Sequence, residues 1–386
     1  MGETVDQETQ AKPEPAPGLA ASSEDGGLEI IDQMADEWRE LCSEIDDGQP
    51  FYRPEWIRAY IRAFLPRAKV RIISVRRGNR LRAVLPLVLL RESFCGIPCT
   101  KLRSAVKAHA FRFDMTCCTG TDREAAIGAI WQQLAGQRDW QILEFRNVLP
   151  GAALEQLLQL AAAEGYPSAT VPLHASPYVP LERGPSALSA LPRSGSLSKT
   201  LRQVKRKLGA VGSLRLTRVE RADATSLQRL YTLEASGWKG REGSAIASSR
   251  ASRQFFDEIA EQGERFGYLC LYLLELNDQL VAAHFGLCYQ GRYFSPKIAF
   301  DEGHKDWMGG HLIVSLILPD CVERGIIEYD ITGSADDWKM RWTAETRPSR
   351  MLLVFRNTPY GRLLHTLQFR GKSLIKRMLR REKPTP

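Results

Sequence analysis

The sequence contains no long apolar run. No stretch approaches the roughly 18 consecutive apolar residues that a membrane-spanning helix requires. The first residues carry neither the basic start nor the apolar centre of a secretory signal. Both absences lead us to expect a cytoplasmic protein. Metal-site spacing is missing too. Cys42, Cys95, Cys99, Cys117, Cys118, Cys270, Cys288 and Cys321 are scattered among mostly apolar neighbours without paired CxxC units. We expect buried, reduced thiols and no bound metal. There is no GxxxxGK[ST] loop and no GxGxxG turn. A recognition-helix signature and a platform of stacking aromatics are also lacking, which argues against nucleic acid as a partner.

What is present is a chain of 386 residues, 44% hydrophobic and 25% charged, the balance of a globular protein with room for two domains. The net charge of +8 is uneven. Residues 1–27 carry six acids against Lys12 alone and are rich in Pro, Ala, Ser and Glu, so they read as a disordered acidic tail.

Past the tail, "LEIIDQMADEWRELCSEI" suggests a short strand and then a helix, and "YRPEWIRAYIRAFLP" a second helix with Pro54 near its start. "KVRIISVRRGNRLRAVLPLVLLRE" reads as a hairpin turning at Gly78-Asn79. A helix near 122–135, the strand "WQILEFRNV" and a helix near 151–164 complete a first unit, 28–180. The Pro-rich "YPSATVPLHASPYVPLERGP" reads as a connector. A linker and basic helix, 181–212, follow. The second unit, 213–358, repeats the order: helices near 223–236 and 251–262, a hairpin turning at Asn277-Asp278, the strand "RYFSPKIAF", a helix from about 310 to 324, the strand "IIEYDIT" and the last strand "RMLLVFRN". Residues 359–386 read as a basic helix. "RGNRLRAVLP" aligns with "LNDQLVAAHF", and "ILEFRN" with "IIEYDI", pairing Glu144 with Glu328 and Phe145 with Tyr329. We read this as duplication of a whole domain.

"FSPKIAFDEGHKDWMGGHLIVSLI" sets Gly309-Gly310 between a strand and a helix. The first N–H groups of a helix lack intrahelical acceptors and carry the positive end of its dipole. Glycine lets an anion approach that backbone closely. The following strand begins shortly after the helix, so the unit should be a right-handed parallel crossover. An anion bound there would sit at the ends of two neighbouring strands. The plain alternative is a flexible helix entry with no ligand.

The element order resembles that of the GNAT acetyltransferases. "LEASGWKGREGSAI", "SPKIAFDEGHKDWMGGHLIVSLI" and "GIIEYDITGSADDWKMRW" resemble the CelD-like branch, associated with cellulose and exopolysaccharide synthesis. The FemAB-like tandem transferases are related. The resemblance covers 195–358 well and 28–180 loosely. It implies an α/β (α+β) fold of tandem GNAT-like domains, each a mixed, mostly antiparallel sheet flanked by helices. It also implies acetyl-CoA as co-substrate, held at its pyrophosphate by Gly309, Gly310, His311 and Leu312, with the pantetheine arm along Lys297, Ile298 and Ala299. The loop reads Asp306-Trp307-Met308-Gly309-Gly310, without the spaced glycines of the wider pattern. The first unit offers only Gly120 at the matching place, so we expect it to have lost the donor site and to serve as a scaffold.

Acyl transfer needs a proton acceptor for the nucleophile, a stabiliser for the thioester oxygen and a proton for the leaving thiolate. Asp330 at the strand end is the candidate base; its counterpart in the first unit is Arg146. Tyr329 alternates to the opposite face, and only one of the two can face a cleft without a bulge. Lys339 matches a lysine of the CelD-like and FemAB-like sequences and would hold a phosphate or the oxyanion. Trp238, Lys239, His284, Asp301 and Glu302, with His304 nearby, are candidate acceptor contacts. Each has a plainer structural reading: a capping Asp330, a solvated Lys339, a Trp238 tucked over the core, a buried hydrogen-bonded His284, solvated loop acids. Two basic segments, Arg193–Lys207 and the last helix, could touch an anionic membrane surface or only face water. The expected activity is acyl-CoA-dependent transfer to an amine or hydroxyl, the acceptor a small molecule or glycan such as a polysaccharide precursor. The alternatives are an aminoacyl-tRNA donor, or a non-catalytic accessory of polysaccharide machinery docked by the last helix.

Overall fold

The computed structural model describes residues 18–45, 48–105, 111–182, 184–189, 191–221 and 223–371. Thirteen strands enter one sheet: β1 Leu19–Gly26, β2 Lys69–Arg77, β3 Arg80–Phe94, β4 Ile97–Arg103, β5 Thr116–Cys117, β6 Ile142–Val148, β7 Ser168–Pro180, β8 Leu214–Val219, β9 Leu271–Leu276, β10 Gln279–Tyr289, β11 Arg292–Phe300, β12 Glu328–Asp330 and β13 Thr346–Phe355. Their order is β1-β2-β3-β4-β6-β13-β7-β12-β11-β10-β9-β8, with β5 on β3. Both hairpins turn where the sequence places them. Asn277 and Asp278 have φ of 48° and 65°, as a two-residue turn matching strand twist requires.

The centre of the sheet departs from the sequence reading. The Pro-rich segment is no connector: β7 lies between β13 and β12. It pairs with β13 from Ser168 to Pro177 and with β12 from Tyr178 to Pro180. Proline is rare in central strands because it cannot donate to the ladder. Here Pro172 sits where the β7–β13 register shifts, and Pro177 still accepts from Ile331 N–H at 3.1 Å. The last strand of each half completes the other half: β13 lies against β6, and β7 against β12.

The segment 1–27, expected to be a disordered tail, contains a strand. Residues 19–26 form β1, which pairs with β2 over eight residues. Arg71 holds Asp25 there, and the pair keeps this acid ionised to about 2. The expected strand at 28–31 is instead the start of a helix, Glu29–Gln33. Residues 1–17 lie outside the described residues.

One core runs through both halves. Trp56 of helix Pro54–Phe64 meets Phe255 of helix Arg250–Arg265 edge-on at 5.0 Å. Arg58 pairs with Glu258 at 2.8 Å beside them. Each fully buried aromatic or aliphatic side chain there is worth about 1.5–3 kcal/mol. A second core lies on the opposite face of the second half. There the basic helix Gly195–Val211 turns Leu197, Leu201, Val204 and Leu208 toward Leu312, Ile313 and Ile317 of helix Gly309–Glu323. The last helix is described only as Pro359–Thr366 with a wider turn to Gly371; the rest of its basic run lies outside the described residues. No helix among the described residues is long and apolar enough to cross a membrane.

Candidate active site

β11 and β12 run parallel, as the crossover requires, but pair over only three residues, Arg292–Phe294 against Glu328–Asp330. Beyond them the strands part. The cause on the β11 side is a bulge: Phe285 faces Lys297 and Leu287 faces Phe294, so β11 carries one extra residue at Ser295-Pro296. Proline suits a bulge because it has no N–H to leave unpaired. On the β12 side Thr332 and Gly333 take φ of 54° and 64° and turn the chain away. Thr332 Oγ1 ties the two sides where they diverge, donating to Ser295 O at 2.8 Å.

The gap is a cavity of about 480 Å³. Ile298, Phe300, Met308, Ile331 and Trp338 give it an apolar wall, and Phe111 reaches it from the first half. Its polar lining comes from Lys239, Lys297, Lys339, His311, Thr332 and Asp336. At its mouth stands helix Gly309–Glu323. Met308 precedes this helix with φ 50°, no side chain caps it, and the first amides with intrahelical acceptors are His311 and Leu312. A Cβ on Gly309 would meet Phe300 Cβ at 2.8 Å, and one on Gly310 the Phe300 ring at 3.3 Å. The glycines thus let the helix start against β11.

The lysines differ in what holds them. Glu234, 2% exposed, receives Lys239 at 3.2 Å and Lys297 at 3.4 Å, and accepts from Ile246 N–H. Lys239 Nζ also donates to Ile298 O at 2.5 Å. Burial pushes the Lys297 pKa below the usual lysine range, and does the same to Lys339. Lys339 Nζ donates to Thr332 O at 3.0 Å, Ser334 O at 2.8 Å and Asp336 at 3.1 Å. An ammonium has three donors, so Lys339 spends all of them fixing the loop that forms one cavity wall. His311 Nδ1 accepts from Trp342 Nε1–H at 3.0 Å. The ring proton therefore sits on Nε2. Burial, with Arg341 nearby, pulls the His311 pKa down to about 4. His311 is a neutral hydrogen-bond donor at pH 7.

Several expected site residues lie elsewhere. Asp330 is fully buried, paired with Arg112 and near Arg347 at 3.6 Å, and accepts from Thr332 N–H at 2.8 Å. It anchors the turn that opens the cavity rather than lining it. Tyr329, also fully buried, stacks on Tyr293 at 5.1 Å, and burial pushes its phenol pKa far up. His284 is fully buried with Nδ1 3.2 Å from Ser295 Oγ and 3.4 Å from the Tyr329 hydroxyl; burial lowers its pKa to about 3. Ala299 and Leu312 are buried packing residues. Asp301 holds Gly303 N–H and His304, while Glu302 holds Trp238 N–H at 2.7 Å and Arg241. These acids brace the loop beside the mouth. Trp238 is 44% exposed and lines the cavity. The sequence reading missed Phe111, whose approach depends on the other half. It also missed Pro296, whose place inside a strand was the available sign of a bulge.

Residues 195–340 match the acetyltransferase (GNAT) domain family. No curated protein matches the chain in sequence. Three solved structures share its fold at low identity. FemX is 12% identical with a TM-score of 0.59, covering 89% of this chain and 100% of its own. A conserved protein of unknown function from Bacteroides thetaiotaomicron is 11% identical with a TM-score of 0.52, covering 87% and 100%. The C-terminal domain of a putative lysylphosphatidylglycerol synthetase from Agrobacterium fabrum is 13% identical with a TM-score of 0.50, covering 87% and 97%. The GNAT match falls on the half that holds the open cleft.

Proposed function

We propose that the second half is an acyl-CoA-dependent acyltransferase whose donor lies in the gap between β11 and β12. The observation that supports this is the uncapped glycine entry of helix Gly309–Glu323 at the mouth of a mainly apolar cleft. Donor phosphates accept from the first amides of that helix. His311 adds a neutral Nε2–H donor. The apolar wall takes the pantetheine arm and excludes water, which strengthens charge stabilisation inside. Among the described lining residues Asp336 is the one carboxylate, so it is the nearest proton acceptor for an incoming amine or hydroxyl, directly or through water. Trp238 at the mouth offers a face for a sugar ring. The acceptor, a sugar or polysaccharide precursor, follows from the CelD-like resemblance. Asp330 and Lys339 serve as positioning residues in this reading.

A second reading, an aminoacyl-tRNA donor, is favoured by one feature. Lys199, Arg202, Arg206 and Lys207 on the basic helix are exposed and have no acidic partner among the described residues. Calorimetry with acetyl-CoA decides between the two. The intact chain should bind acetyl-CoA, and Gly310→Val, provided it stays folded, should lose at least tenfold in affinity, as expected for about 1.4 kcal/mol or more. Binding of tRNA with none of acetyl-CoA would shift the assignment to the second donor.

A further inference from the structure

A second cavity of about 410 Å³ lies behind the cleft, between the basic helix, the turn before it and the middle of helix Gly309–Glu323. Leu188, Leu201, Leu318 and Trp342 give it apolar surface; Arg202 and Lys205 give it two cations; no carboxylate stands among its described lining residues. Neither cation has an ion-pair partner among the described residues. The buried arginines Arg53, Arg71 and Arg112 are each met by a carboxylate, from Glu55, from Asp25 and Asp139, and from Asp330. Two unneutralised cations facing one cavity call for an anion.

Lys205 is held in place by a defect in the neighbouring helix. Pro319 lies inside helix Gly309–Glu323 and has no N–H, so the Ser315 carbonyl four residues earlier loses its helical donor. Lys205 Nζ approaches that carbonyl at 3.4 Å. One of its three donors is used there, and two remain for a ligand. Arg202 is exposed at the rim and can bring a planar fork to a phosphate. Trp342 separates the two cavities: its body lines the second, and its N–H bonds His311 in the first.

We propose that this second cavity is a phosphate-ester site, in which Arg202 and Lys205 take a phosphate carried by one of the reactants. The phosphate has two chemical sources. One is the 3′-phosphate of a CoA donor whose other end fills the cleft, and that arm rests on the acyl-donor reading above. The other is a phosphorylated sugar acceptor, which does not depend on it.

The test is calorimetry on the full chain with acetyl-CoA, acetyl-CoA lacking its 3′-phosphate, and glucose 1-phosphate, each against the intact protein, Arg202→Glu and Gly310→Val. Arg202 is exposed, so its replacement leaves the core intact. If the donor is the source, removing the 3′-phosphate weakens binding about tenfold or more, the scale of a lost charge-assisted bond. Arg202→Glu then erases that difference while leaving the dephosphorylated form unchanged, whereas Gly310→Val weakens both. If the acceptor is the source, both CoA forms bind alike and Arg202→Glu abolishes glucose 1-phosphate binding. The proposal is overturned if Arg202→Glu changes none of the three affinities. Failure of both CoA forms to bind the intact chain would instead remove the donor reading and leave the sugar phosphate to decide.

Discussion

The two halves build the same strand pair and finish it differently. In the first half β4 and β6 run parallel over three pairs, Lys101–Arg103 against Ile142–Glu144, as β11 and β12 do in the second. There the ladder then continues. Ser104 N–H donates to Glu144 O at 3.0 Å, and Arg146 N–H donates to Ser104 Oγ at 3.1 Å. Phe113 N–H reaches Asn147 O at 3.1 Å. Phe113 itself is 1% exposed and packs into the core beside this continued pairing. Helix entry differs too. Asp122, held by Arg77 at 2.7 Å, stands before helix Arg123–Gly136, where its charge occupies the positive helix end. The apolar Met308 stands at that place in the second half. A cleft therefore needs three local changes: a bulge on one strand, a turn off the other, and a helix entry free of acid.

The largest expected effect comes from the contact that links the halves at the open end. Arg112 belongs to the first half, and its partner Asp330 to the second. Asp330→Ala would leave the Arg112 cation buried and uncompensated, which costs about 3–5 kcal/mol. Urea denaturation should show a loss of that order. A loss under 1 kcal/mol would mean the pair is already solvated. Next, Phe113→Ala should remove about 3–5 kcal/mol by cavity formation. It should not create a donor site, because the Asp122-guarded helix and the continued ladder stay. Calorimetry on this variant should give one acetyl-CoA site per chain; two sites would show that Phe113 alone closes the first cleft.

An intermediate effect separates the halves by pH. Among the described residues, the histidines whose pKa falls are His174, His284 and His311, all by burial first, and all close to the swapped strands or the second cleft. Folded His284 titrates near 3 and folded His311 near 4, against 6.5 when exposed. Between pH 6.5 and these values the unfolded chain binds protons that the folded chain refuses. Stability therefore falls as the pH drops through that window. For His284 alone the loss at pH 5 is about 2 kcal/mol. Urea midpoints at pH 7 and pH 5 should differ by more in the intact chain than in His284→Gln. An equal acid loss in both would assign the effect to other groups.

How much of this was legible follows from which forces were local. Hairpin turns at Gly78-Asn79 and Asn277-Asp278, the helices near 122–135, 151–164, 223–236, 251–262 and 310–324, and the parallel pairing of β11 with β12 come from residues close in sequence and appear where the pattern puts them. The cleft position was legible for the same reason, through Gly309-Gly310. The exchange of β7 and β13 was not, because its prolines read as a linker and its reward is pairing with strands far away in the chain. Asp330 was misplaced for a related reason: strand alternation gives a face, but only the fold reveals that Arg112 waits on that face.

The smallest expected effect concerns Lys339, which the resemblance points to as a direct contact and the geometry points to as a staple. Its three donors already hold Thr332 O, Ser334 O and Asp336. Gly333 beside it leaves room for the ammonium, since a Cβ there would come within 3.4 Å of Nζ. Lys339→Met should cost about 1 kcal/mol of stability and weaken acetyl-CoA by about threefold to tenfold as the loop loosens, with Lys339→Arg recovering part of it. If Lys339 instead meets the reacting atoms, binding would hold while turnover falls at least a hundredfold, and Arg would not rescue it. In the first half the connection after β6 is the short turn 149–152, and Asp114 fastens its far end by capping helix Ala153–Ala163. The staple belongs to the open cleft because only there must a chain that has left its strand be held off it.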